Sequence, residues 1–136
     1  MMRPRQRPHL GLKTKSIPQI FRLNPDFQQV PNPSRVVVKV AGHIIADTRK
    51  ALSLKEASYP AVNYIPREDV EMSLLERTDH ETYCPYKGDC HYFSIPIAGE
   101  KGVNAVWTYE SPYPAVAEIK EHLAFYPDRV EATEEH

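Results

Sequence analysis

The sequence predicts a mainly β, single-core domain: a compact β-sandwich or partly open barrel of about seven or eight short strands with one C-terminal helix. Three observations carry that expectation. The 136 residues include 13 prolines but only 5 glycines, which favours short elements separated by rigid turns. Runs of β-branched or alternating apolar residues recur at the roughly 8–12-residue spacing of sandwiches and small barrels. Only one stretch, near the C-terminus, has amphipathic helical periodicity. The length fits one ordinary domain, able to bury roughly two thirds of its unfolded surface without staples.

Residues 1–34 hold six of the 13 prolines and read as an extended, basic N-terminal arm. Ile20, Phe21, Leu23 and Phe27 are apolar enough to order its second half against the domain. The single mainly β domain is expected over residues 35–131. Val36 to Val40 and His43 to Ala46 read as a hairpin turning at Ala41-Gly42, followed by the polar turn Asp47 to Lys50. Ala51 to Glu56 alternates at period two, and Val62 to Ile65 is a strand stopped near Pro66. Arg67-Glu68-Asp69 is a charged corner, and Val70, Met72 and Leu74 alternate as a half-buried strand.

Glu76 to Asp79 reads as a turn, leading into His80 to Tyr83. Tyr92 to Ile97 and Val103 to Tyr109 flank a glycine-bounded loop and predict a second hairpin, with Pro96 at a sheet edge or bulge. The helix starts at Pro114 and sets Val116, Ile119 and Leu123 on one face, until Phe125-Tyr126 and Pro127 end it. Arg129-Val130-Glu131 adds a last strand, and the acidic tail, residues 132–136, is expected to fray.

The net charge of -1 conceals an asymmetry. Residues 1–34 carry six basic residues against Asp26 alone, a net +5, which leaves -6 on residues 35–136. An acidic body lacks the clustered Lys and Arg of a phosphate-tracking surface, so no nucleic-acid partner is expected. No apolar run approaches the roughly 18 residues of a membrane span, and no apolar segment follows the N-terminal arginines. These features predict a soluble, cytoplasmic protein with no membrane partner. Residues 1–24 resemble an organellar transit segment in being Arg-rich and acid-poor, but their prolines and lack of an amphipathic stripe oppose that reading.

Candidate chemistry is densest in Tyr83-Cys84-Pro85-Tyr86-Lys87-Gly88-Asp89-Cys90-His91-Tyr92. Cys84 is a candidate nucleophile if Lys87 lowers its pKa and His80 or His91 serves as its base; the alternative is a small buried hydrophobe. Cys84 and Cys90 lack the second Cys pair of a structural zinc site, so no metal ligands are assigned. At Lys87-Gly88 a glycine allows close backbone approach beside a positive charge, which suits an anionic group; the bland reading is a solvated turn.

Glu56 ends a mostly apolar strand, where it points into a cleft as acid or base or pairs with Arg67. Asp69 is the other candidate acid or base. Tyr64 and Arg67 offer polar recognition beside it. Trp107 and Tyr109 share one strand face, as core or as the aromatic wall of a pocket.

Five blocks resemble a known family. They are Ala46 to Leu52 with Glu56; Tyr64-Ile65-Pro66-Arg67-Glu68-Asp69-Val70; Cys84-Pro85-Tyr86-Lys87-Gly88 with Tyr92; Trp107-Thr108-Tyr109-Glu110-Ser111-Pro112; and Phe125-Tyr126 with Arg129-Val130. In this order, across residues 35–131, they resemble the domain of unknown function 427 family. The resemblance implies a compact, mainly β domain without an established substrate. It also implies that Glu56, Tyr64, Arg67, Asp69, Cys84, Lys87, Gly88, Trp107 and Tyr109 build a common pocket. The label nucleotidyltransferase-like is attached to the family, yet the chain has no Gly-Ser pair for the loop such chemistry uses.

The first functional expectation is thus a domain that binds a small polar or anionic ligand, enzymatic or not. Its pocket would join the Cys84–Gly88 loop to Glu56 and the Arg67–Asp69 corner. Glu56, Asp69 and Cys84 are its candidate catalytic residues, and Tyr64, Arg67, Lys87, Gly88, Trp107 and Tyr109 its candidate ligand contacts. The alternatives are a scaffold or protein-interaction module using a β edge near Pro96, and a redox or metal protein built on the cysteines and histidines. The sequence leaves open the cofactor, the choice between monomer and homodimer, and whether a reaction occurs.

Overall fold

A computed structural model describes residues 3–4 and 27–135. The rest of the basic arm, including Ile20, Phe21 and Leu23, and the terminal His136 lie outside the described residues. The strands are β1 (Arg3–Pro4), β2 (Phe27–Asn32), β3 (Arg35–Val40), β4 (His43–Thr48), β5 (Ala51–Glu56), β6 (Val62–Pro66), β7 (Glu76–Cys84), β8 (Gly88–Ser94), β9 (Val106–Thr108), β10 (His122–Phe125) and β11 (Glu131–Glu135). One sheet runs β1-β7-β8-β9-β10-β6-β5-β2 and the other β11-β3-β4. All strand pairs are antiparallel. The architecture is mainly β and sandwich-like, without a closed barrel. No helix among the described residues is long and apolar enough to cross a membrane.

Period-two alternation sorts the long sheet's side chains into two clusters. Ile65, Phe93, Val106 and Leu123 face the β3–β4 sheet and pack with Val36, Val38, Val40 and Ile45. Their neighbours Tyr64, Tyr92, Trp107 and Ala124 face the other way, with Leu54, Cys84, Cys90 and Tyr109, under Val116 and Ile119. Both faces of the central strands are therefore dry, and every residue of β9 is buried. Each fully buried Val, Leu or Ile contributes about 1.5–3 kcal/mol of transfer free energy, which makes this two-sided burial the main adhesive of the fold.

Several elements match the sequence pattern. The hairpin β3–β4 turns at Ala41 and Gly42, both at positive φ (51° and 80°), as its two-residue connection requires. β5 covers the expected residues. β8 and β9 pair as the second hairpin, although a 3-10 helix, Pro96–Gly102, fills their connection.

Other elements differ. The amphipathic stretch after Pro114 forms only a 3-10 helix, Pro114–Ile119, with non-helical Val116 (φ -128°) inside it. Leu123 belongs instead to β10, between β9 and β6. Two open sheet flanks claim the segment, and sheet pairing overrides a helical pattern too short to hold alone. Met72–Leu74 is likewise a 3-10 helix and not a strand. Glu76 to Asp79 belongs to β7, bulged between Arg77 and Glu81, and not to a turn.

Pro96 opens its 3-10 helix beyond β8, so the docking edge expected there does not exist; β8 is central, between β7 and β9. At the ends, Phe27–Asn32 adds to β5, with Pro31 tolerated on an edge strand. The acidic residues Glu131–Glu135 are strand β11, laid along β3 opposite its basic ends, with Glu131 across from Lys39 and Glu135 from Arg35.

Candidate functional site

Alternation along β5 puts Leu52, Leu54 and Glu56 on one face, and Leu54 is packed into the cluster with Tyr64 and Trp107. The carboxylate at the strand end therefore points toward that cluster. Lys87 comes from the three-residue connection of the β7–β8 hairpin. Its backbone is held twice: its N–H donates to the Cys84 carbonyl (3.2 Å), and its carbonyl accepts from Tyr113 N–H (3.0 Å). Gly88 stands next to it at φ +113°, a conformation strained for any side chain, with the Ser111 carbonyl oxygen in ordinary contact at 3.4 Å from a built Cβ. The glycine thus serves the turn and the close approach of the 111–113 segment.

With its backbone so fixed, Lys87 reaches Glu56: Nζ lies 2.7 Å from Oε1, with side chains only 5% and 15% exposed. Nζ also sits 5.5 Å over the Phe27 ring and 5.8 Å over the Tyr109 ring. Strand β2 supplies Phe27 directly opposite Glu56. Two buried polar atoms here have no hydrogen-bond partner among the described residues, Glu56 Oε2 and Tyr109 Oη. Burial holds the Tyr109 phenol far above its ordinary pKa, so it is a protonated donor at neutral pH.

Glu56, Lys87 and Tyr109 line a cavity of about 370 Å³ together with Tyr59, Tyr64, Trp107 and Tyr126. Trp107 Nε1–H donates to Tyr64 Oη (3.1 Å), and the Trp107 and Tyr126 rings touch at 4.5 Å between centroids. The wall is therefore aromatic, with one ion pair set into it.

Five of the nine sequence-predicted residues meet here: Glu56, Lys87, Tyr64, Trp107 and Tyr109. Arg67 and Asp69 do not line the cavity. Arg67 packs over the Phe93 ring (5.6 Å) and lies 3.7 Å from Glu110, so Lys87 and not Arg67 is the partner of Glu56. Phe93, under Arg67, belongs to the inter-sheet cluster, whereas Tyr109 belongs to the cluster on the other face of the long sheet. Asp69 instead accepts the buried Thr48 hydroxyl at 2.7 Å and ties the corner to β4.

Cys84 is fully buried and unpaired, and the ammonium expected to activate it is engaged by Glu56. Both histidines are engaged elsewhere: His80 packs against the Tyr92 ring at 4.5 Å, and His91 lies 4.0 Å from both Glu81 and Glu110. Burial pushes the Cys90 thiol up to about 11. The geometry matches the small-hydrophobe reading of Cys84. In native protein a thiol reagent such as DTNB is expected to label neither cysteine within minutes, and both after denaturation. Rapid labelling of one thiol in the folded protein would contradict this packing. No group of three or more His, Cys, Asp or Glu side chains gathers into a metal-binding arrangement among the described residues.

Sequence reasoning missed Phe27 and Tyr59 as site residues, and the second polar cluster around Glu110. There Arg77 grips Glu110 with two hydrogen bonds, 2.7 and 3.1 Å. Those bonds first, then the charges of Arg77, His91 and Arg67, hold the Glu110 carboxyl below its ordinary pKa. A depressed carboxylate pKa stabilises the fold above the unfolded value and loses that contribution as pH falls through the folded one. Because the pair is partly exposed, the effect is under about 1 kcal/mol. Glu110→Gln is expected to be slightly less stable than wild type near pH 7, with the gap narrowing in urea titrations as the pH falls below the ordinary carboxylate range. A gap unchanged with pH would overturn the assignment.

The family described as Domain of unknown function (DUF427) matches residues 28–136. The chain belongs to this family. The match begins one residue inside β2 and runs through β11, so the DUF427 domain takes in almost all of the strand whose first residue, Phe27, packs over Lys87. A search of curated proteins finds no match to the chain.

Proposed function

We propose that this DUF427 domain binds a small polar ligand in the cavity walled by Glu56, Lys87, Tyr64, Trp107 and Tyr109. One observation carries the reading: Glu56 Oε2 and Tyr109 Oη are buried without hydrogen-bond partners among the described residues, on two residues that line the same cavity and meet the same ammonium. A buried, unsatisfied polar group costs about 1–3 kcal/mol, and two at one cavity are what a site open to a hydrogen-bonding guest looks like. The mainly aromatic wall with a few convergent polar groups is typical of small-molecule pockets. No reaction is assigned, since Asp69 and Cys84 stand apart from the cavity and Glu56 is held by Lys87.

A thermal-shift screen against nucleotides, sugar phosphates, carboxylic acids, amides and divalent metals tests the reading. A ligand at 100 times its Kd is expected to stabilise the protein by about 2.7 kcal/mol. The stabilisation should shrink in Tyr109→Phe, which keeps the ring and removes only the unpartnered hydroxyl. Hits indifferent to that change, or silence across the panel, would count against a ligand site here.

A further inference from the structure

We infer that the cavity takes a neutral, flat ligand that presents an N–H or O–H donor beside a carbonyl acceptor, an amide-like edge, and not an anion. The inference rests on the cavity being a ligand site.

Charge decides against ions. Lys87 and Glu56 neutralise each other at 2.7 Å in a nearly solvent-free setting. An anion arriving at the ammonium would stand beside a desolvated carboxylate, and a cation arriving at the carboxylate would stand beside a desolvated ammonium. A neutral guest leaves the balance untouched.

Hydrogen-bonding capacity then selects the edge. Among the described residues, Glu56 Oε2 is an acceptor without a donor. An ammonium has three N–H groups, and Lys87 Nζ gives one to Glu56 Oε1. Tyr109 Oη adds a protonated hydroxyl that meets no N or O partner among the described residues. The polar part of the wall therefore sets one acceptor next to two kinds of donor, and its complement is a donor next to an acceptor. The rest of the wall calls for a flat body. Trp107 Nε1–H is already committed to Tyr64, so Trp107 offers its ring to a guest, as does Tyr126 against it.

Trp107 is the only tryptophan in the chain, so its emission reports on this cavity. The experiment titrates the full-length protein with four single-ring probes of similar size: benzamide, benzoate, benzylamine and toluene. Benzamide is expected to change the emission saturably, with a Kd at least about tenfold below those of the other three. In Tyr109→Phe, checked for an unchanged melting curve, its Kd is expected to rise several-fold while that of toluene stays constant. Benzoate or benzylamine binding as tightly as benzamide would overturn the neutral-ligand inference and leave the cavity standing as a ligand site. Toluene binding as tightly would remove the polar edge from recognition. Failure of all four to bind would overturn the ligand-site reading itself.

Discussion

Lys87→Met is expected to lower the unfolding free energy by about 3–5 kcal/mol, because it strands the Glu56 carboxylate in a site with little water. For a domain of this size that is a fall in Tm of roughly 10 °C or more. The loss belongs to the unpaired charge and not to the bond, so a second change repairs it. Lys87→Met combined with Glu56→Leu leaves no charge behind, and replacing a buried pair by apolar groups is commonly neutral or stabilising. The double variant is expected to recover most of the stability while losing the polar face of the cavity. Chemical denaturation of the four proteins in the cycle measures this directly. A double variant as unstable as the single one would show that shape, and not the isolated charge, sets the cost.

Gly102→Ala is expected to be at least as damaging, at about 4 kcal/mol or more. Gly102 is buried where the 3-10 helix after β8 closes, and Ile95 N–H donates to its carbonyl at 2.9 Å. A Cβ there would collide with the Ile95 carbonyl oxygen and crowd Ala98 Cβ at 3.0 Å, and backbone cannot move aside without breaking that closure. Gly99 in the same helix provides the control. It sits at φ +61° with nothing within 4 Å of a built Cβ, so Gly99→Ala costs only conformational strain, about 1–3 kcal/mol. Thermal melts that rank the two variants the other way would contradict the packing described around Ile95.

These two glycines also mark what a sequence can and cannot disclose. That residues 98–102 connect two strands was legible from the glycines bounding them. Which glycine is sterically indispensable depends on a carbonyl seven residues earlier, and no local pattern carries that. The strands β3, β4, β5 and β6 were legible because β-branched residues and period two act locally. Leu123 was misplaced because Val116, Ile119 and Leu123 fit a helical face as written, while β9 and β6, distant in sequence, supply the pairing that wins.

The site divides along the same line. Glu56 was identifiable as a carboxylate ending an apolar strand, and Trp107 and Tyr109 as sharers of one face. The partnership of Glu56 with Lys87 joins residues 31 apart and follows from the hairpin turn being pinned to Tyr113. Arg67 looked like the nearer candidate, but it opens the 3-10 helix that follows β6 and lies by Phe93 and Glu110 instead. Phe27 enters only because β2 lies beside β5, a long-range pairing that a proline-rich arm does not advertise.

If Glu56, Lys87 and Tyr109 form the polar face of a ligand cavity, a bound ligand must touch them. The most direct measurement is a crystal structure of the protein soaked with the strongest hit of the thermal-shift screen. The ligand is expected within hydrogen-bond distance of Glu56 Oε2 and Tyr109 Oη, its flat face against Trp107 or Tyr126. A ligand bound elsewhere with this cavity unoccupied, or seated here without touching either polar atom, would contradict that expectation.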